Sequence, residues 1–110
     1  VVTAAEILDA QQGATRVTAT GHLRDYVVRL LWRTRDDPRV DLGASPRAGL
    51  MLLRAAKARA MMHGRDHALP DDVQALAVPV LAHRIVLTPE ASRTRPRDVI
   101  ADAVSAVPAL

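Results

Sequence analysis

Cysteine is absent from the 110 residues, which excludes disulfide staples and thiolate metal sites and fits a reducing compartment. Phenylalanine is absent too, and Tyr26 and Trp32 are the only aromatics. The core must come from Leu, Val, Ile, Ala and Met, a set that favours close-packed helices. Lysine is reduced to Lys57, which follows Ala56 inside a helical pattern. A phosphate-cradling loop needs G-x-x-x-x-G-K-[ST], with glycine N–H groups around the phosphates and a lysine to neutralise them, so no ATP site can be completed within these residues. The longest apolar run, Ala75 to Ala82, is interrupted by Pro79 and is far shorter than the ~20 residues of a membrane span. No secretory leader is visible, and the expected address is cytoplasmic.

Hydrophobic residues make up 49% of the chain. At this length one domain is expected, burying roughly 60 to 70% of the surface its unfolded chain exposes. The net charge of +3 is mild, and the arginines are interleaved with acids, so most should lie on solvated faces.

Thr3-Ala4-Ala5-Glu6 is a capping box that opens a first helix, expected to stop at Gly13. Val17 to Thr20 reads as an extended connector. Leu23, Tyr26, Val27, Leu30 and Leu31 recur with the spacing of one buried helical stripe. That second helix runs to about Arg35 and is closed by Asp36-Asp37-Pro38. The third spans Pro46 to about His63, with Leu50, Leu53, Lys57, Ala60 and Met61 in helical register and Gly64 as its C-cap. Its many alanines let neighbours approach closely and place it centrally.

A fourth helix starts at Pro70 with Asp71 and Asp72 complementing its dipole, although Leu69 is a poor N-cap. Pro79 is expected to kink or restart it. Ile85 to Leu87 is an extended link, Thr88 to Pro96 a polar loop, and Val99, Ile100, Ala103, Val104 and Val107 mark a last helix. The fold class is all-α: a small bundle of about five helices with short extended connectors.

The third helix carries the feature that asks for a function. Ser45 is its N-cap, Pro46 its first residue and Arg47 its second. A helix start bears roughly half a positive charge, so a guanidinium there costs a few tenths of a kcal/mol unless an anion is shared. A surface arginine extending into water is the plain alternative.

Other chemistries find little support. His63 and His67 are four apart with Gly64 between them, and no H-E-x-x-H pattern appears; no metal site is expected. His83 reads as a hydrogen-bonded packing residue. Asp36 with Asp37, and Asp71 with Asp72, sit at helix ends and read as structural.

Taken together, Tyr26-Val27-Val28, Leu42-Gly43-Ala44-Ser45-Pro46-Arg47-Ala48, Leu69-Pro70-Asp71-Asp72-Val73 and Val80-Leu81-Ala82-His83-Arg84 resemble the C-terminal lid domain of MoxR-family AAA+ ATPases across nearly the whole chain. Leu69 departs from the threonine usual at that cap. The resemblance implies that residues 1–110 are one lid domain following an upstream α/β ATPase core. Arg47 then matches the sensor-2 arginine, which crosses the cleft to the γ-phosphate of ATP, with Ser45 and Pro46 fixing its helix start. No residue of the lid itself is catalytic. ATP and Mg would bind in the intact protein and not to the isolated lid. A homo-hexameric ring, chaperone-like remodelling of clients and partners with von Willebrand A domains are also implied. Two rivals remain open: an arginine-rich helical nucleic-acid-binding module, opposed by the mixed charges and scarce aromatics, and a purely structural interaction domain in which Arg47 meets no nucleotide.

Overall fold

The computed structural model describes residues 2–109. Its helices are α1 (Ala4–Thr15), α2 (Gly21–Asp36), α3 (Pro46–Met62), α4 (Pro70–Leu81) and α5 (Pro96–Ala106); β1 (Val40–Leu42) and β2 (Val86–Leu87) are the strands. The all-α expectation holds.

α3 packs against α1, α2 and α4, while α5 closes over α2 and α4. The centre is filled by Tyr26, Leu30, Leu52, Val73, Leu81, Val99 and Ile100, all fully buried. The one aromatic in this core, Tyr26, accepts a hydrogen bond at its hydroxyl from Gln74 Nε2 at 3.3 Å, which satisfies its polar end.

α3 is central as its alanines imply, but its buried face differs in phase from the sequence expectation. Ala48, Gly49, Leu52, Ala56 and Ala60 face inward, and Leu50 is exposed. Small residues flank the fully buried Leu52 in this stripe, so neighbouring helices approach closely on either side of one large side chain. The same close approach corrects the end of α1. Gly13 does not stop that helix, which continues to Thr15; a Cβ at Gly13 would lie 2.8 Å from Met61 Sδ, so this glycine admits α3. Ile7 and Leu8 stay exposed, and α1 buries no residue of its own.

Gly64 ends α3 as expected. It has φ +74°, its N–H donates to Met61 O at 2.9 Å, and Arg65 N–H donates to Ala60 O at 2.9 Å, the paired bonds of a left-handed helix terminus.

Leu69 is the N-cap of α4 and its side chain accepts nothing, so the cap is made from the other side: Leu69 N–H donates to Asp72 Oδ2 at 2.7 Å. Asp72 is completely buried and also receives Arg65 from the turn after α3 and Arg59 from α3, each at 2.6 Å. Its role thus exceeds the dipole complement read from sequence. The Arg65 hydrogen bond, seconded by the Leu69 N–H and Arg59, outweighs burial and holds its carboxyl well below the usual carboxylate range.

Pro79 does not break α4, which runs on to Leu81 before a 3-10 turn over Ala82–Arg84. The extended link before Thr88 pairs with the segment that leads into α3: Val40 lies opposite Leu87 and Leu42 opposite Val86, antiparallel with an irregularity between. Thr18 bridges His67. The polar segment after Thr88 forms a 3-10 turn, Pro89–Ala91, whose Ala91 is buried, and Thr88 N–H donates to Arg39 O at 2.9 Å. Arg39 in turn joins Asp37 at 2.7 Å and Asp102 of α5 at 3.0 Å.

Candidate functional site at the start of the third helix

Where α3 begins is set by the end of α2. Thr34 is buried; its hydroxyl donates to Leu31 O at 2.7 Å and accepts from Ala44 N–H at 3.2 Å. Gly43 lies so close to α2 that a Cβ would stand 2.5 Å from Arg35 Cγ and 3.0 Å from its Cα. Ala44 is itself fully buried. The two residues before the cap are thereby pinned to the preceding helix.

Ser45 then caps α3 from extended backbone, φ −79° and ψ 163°, with Oγ accepting from Ala48 N–H at 3.3 Å. Its carbonyl accepts from Gly49 N–H at 3.2 Å. Pro46 has no N–H to satisfy. Of the donors that a helix start leaves open, the backbone N–H groups of Ser45 and Arg47 meet no acceptor among the described residues. The positive end of the helix is therefore intact and points out beside a guanidinium.

The Arg47 side chain is exposed and makes no hydrogen bond or ion pair among the described residues. Arg39, Arg59, Arg65 and Arg95 are each tied to a carboxylate, and Arg29 and Arg35 sit over the rings of Tyr26 and Trp32 at 5.8 and 5.4 Å. Arg16, Arg24, Arg33, Arg54, Arg93 and Arg97 are as exposed and unpaired as Arg47 among the described residues; Arg47 is set apart by its place at a helix start. Arg47 is held by its backbone and uncommitted at its tip. Ser45, Pro46 and Arg47 thus occupy the cap, first and second positions that their sequence indicates.

Two features beside this helix start have no local sequence signal. An open pocket of about 680 Å³ is lined in part by Ser45, Asp41, Arg35, His83 and Arg84, positions drawn from α2, the segment before α3 and the 3-10 turn after α4. His83 is exposed and has no hydrogen-bond partner among the described residues, which corrects its reading as a packing residue: the 3-10 turn that follows α4 rotates it off the apolar face. On the other flank, Val28, Trp32 and Leu50 stand about half exposed next to Pro46.

The remaining candidates do not assemble. His67 Nδ1 lies 2.9 Å from Asp66 Oδ1, both on the surface. No group of three or more His, Cys, Asp or Glu side chains is placed to hold a metal ion among the described residues. No described helix is long and apolar enough to cross a membrane.

Comparison with known proteins agrees with the helical fold. The family described as AAA lid domain matches residues 33–103. The chain is 40% identical over 91 residues to the uncharacterized protein YeaC of Bacillus subtilis, covering 83% of this chain and 28% of that protein. It is 35% identical over 100 residues to the chaperone MoxR1 of Mycobacterium tuberculosis, covering 83% of this chain and 26% of that protein. In structure it superimposes on a candidate ATPase from Cytophaga hutchinsonii with a TM-score of 0.88 at 30% identity, covering 94% of this chain and 35% of that one. The chain thus spans between a quarter and about a third of the length of these relatives.

Proposed function

The chain belongs to the AAA lid domain family, with relatives of the MoxR type, and on that premise we propose that it is the nucleotide-sensing lid of a MoxR-like ATPase, with Arg47 as the sensor. The observation that carries this reading is the state of Arg47: backbone locked by Ser45 and Pro46, guanidinium exposed and unpaired. An arginine at the positive end of a helix is at its most useful when a terminal phosphate arrives from outside, because the planar fork matches phosphate oxygens and the helix start adds to the same field.

In this reading the phosphate loop and the Mg ion belong to an ATPase core elsewhere in the intact protein. Arg47 reaches across to the γ-phosphate, ATP draws the lid closed, and hydrolysis removes the charge that held it. Positioning and charge neutralisation are most of what a protein supplies to phosphoryl transfer. The half-exposed strip of Val28, Trp32 and Leu50 beside Pro46 is the face turned to that core. Ring assembly, most simply a homo-hexamer, and chaperone-like action on client proteins, including partners with von Willebrand A domains, belong to the same proposal, as does a cytoplasmic address.

The test is Arg47→Ala in the intact protein. ATP turnover is expected to fall by a factor of about 10 to 1,000 while the lid keeps its fold by circular dichroism. Turnover equal to the parent overturns the assignment.

A further inference from the structure

Arg24, Val28, Leu31 and Arg35 follow one another along α2 at steps of four, three and four, which sets them on a single face of the helix. Two apolar residues thus lie between two arginines. The arginines are eleven positions apart, about 16 Å along the axis. α3 runs beside this stripe and comes closest at Gly49, where a Cβ would stand 2.6 Å from Leu31 Cδ1. Along that contact the surface dips into two shallow hollows of about 200 and 140 Å³.

The hollows are neighbours in one groove. Val28, Leu31 and Pro46 line both; the larger reaches back to Arg24, and the smaller forward to Trp32 and Arg35. Their α2 walls are therefore offset by one turn, about 6 Å, the separation of two side chains at i and i+4 of an incoming helix. No aspartate or glutamate lines either hollow, and the α2 acids Asp25 and Asp36 lie outside both. Arg24 and Arg35 have no carboxylate partner among the described residues, and Arg35 is held over the Trp32 ring at 5.4 Å. An apolar floor between two unneutralised cations calls for an apolar ridge between two anions.

We infer that the α2–α3 groove receives an amphipathic helix of about three turns from the ATPase core, with two apolar anchors one turn apart and a carboxylate toward each end. The core is the occupant because Pro46 walls both hollows and immediately precedes Arg47, so the body that presents a phosphate to Arg47 also abuts the groove. That choice rests on the sensor reading, whereas the shape and charge of the occupant rest on the groove alone.

Trp32 is the only tryptophan of the chain and borders the smaller hollow, so its emission reports occupancy. The 110-residue chain is titrated with a stapled, tryptophan-free helical peptide carrying leucines four positions apart between glutamates eleven positions apart. A saturable shift of Trp32 emission to shorter wavelength is expected. The same peptide with lysines for glutamates should bind about tenfold more weakly, the scale of two charge contacts at a rim, and Arg24→Glu combined with Arg35→Glu should reverse that preference. Arg24→Glu alone, which leaves the stack on Trp32 in place, should weaken the acidic peptide only. No saturable shift, or equal binding of the two peptides to the parent chain, overturns the inference.

In the intact protein, hydroxyl-radical footprinting read by mass spectrometry should find Trp32 oxidised several-fold less than in the 110-residue chain. Equal oxidation overturns the core as occupant even where the peptides bind. Protection that is lost when the intact protein is diluted to monomers assigns the groove to a second copy, and overturns it too. Arg47→Ala keeps the two ideas apart: reduced turnover with Trp32 unprotected in the parent spares the sensor and sinks the docked helix. Unchanged turnover with Trp32 protected does the reverse.

Discussion

Thr34 accepts a hydrogen bond from Ala44 N–H at 3.2 Å while donating to Leu31 O, so one buried hydroxyl on α2 decides where α3 begins. The third helix, and with it Arg47, is positioned by the second.

Thr34→Val keeps the shape of that side chain and leaves the Ala44 N–H without an acceptor in the interior. A loss of about 1–3 kcal/mol is expected, measured by urea unfolding of the 110-residue chain. Amide exchange should quicken first over residues 43–48. A variant as stable as its parent, with unchanged exchange there, would show that the bond positions nothing.

Gly43 and Gly49 both face α2, and replacing them by alanine should have different costs. The Gly43 Cβ would meet Arg35 Cα, which is backbone, at 3.0 Å, whereas the Gly49 Cβ would meet Leu31 Cδ1, a side-chain tip, at 2.6 Å. Backbone has to move in the first case and a rotamer in the second. Gly43→Ala is expected to cost about 1–3 kcal/mol and Gly49→Ala less, read from their melting curves; the opposite order would contradict the packing described.

Gly13 lies inside α1, exposed enough that alanine should gain helix propensity of roughly 0.5–1 kcal/mol. The obstacle is Met61 Sδ at 2.8 Å, and methionine is the side chain best able to yield. Gly13→Ala is expected to be neutral or stabilising in a thermal melt, with destabilisation above about 1 kcal/mol showing that the α1–α3 contact is rigid.

Asp72 sets the acid limit of the fold. Its carboxyl is held well below its ordinary range by Arg65, Leu69 N–H and Arg59, so the folded state binds its proton less readily than the unfolded chain. The stability from this ionised form is fully present above the unfolded pKa of about 3.9 and is lost as pH falls through the lower folded value. Unfolding free energy should decline below about pH 4. Asp72→Asn should be less stable at pH 7 by about 2 kcal/mol or more and show a shallower decline; parallel pH curves for the two proteins would exclude Asp72 as the source.

Much of this was legible in the chain because the signals are local. Ser45-Pro46 announces the α3 start within two residues, Gly64 its end, and the Leu23 to Leu31 spacing the inward face of α2. What escaped was set by partners distant in sequence. Leu50 and Leu53 outrank Ala56 in hydrophobicity, yet the face that packs inward is the one carrying Leu52 among small residues, with Leu53 only at its margin. Gly13 looks like a stop until Met61, 48 positions on, occupies the space a side chain would need. Leu69 looks like a failed cap because its remedy, Asp72, is itself recruited by Arg59 and Arg65.

Since Arg59 and Arg65 grip the same carboxylate, α3 and α4 are clamped at the end remote from Arg47. A 17-residue helix is roughly 25 Å long, so a tilt of about 5° imposed at the arginine tip displaces the clamped end by roughly 2 Å and drags α4 with it. Under the proposed sensor role, a pull of atomic size at one guanidinium would become a swing of the whole pair, a lever whose fulcrum is the α2 contact at Gly49.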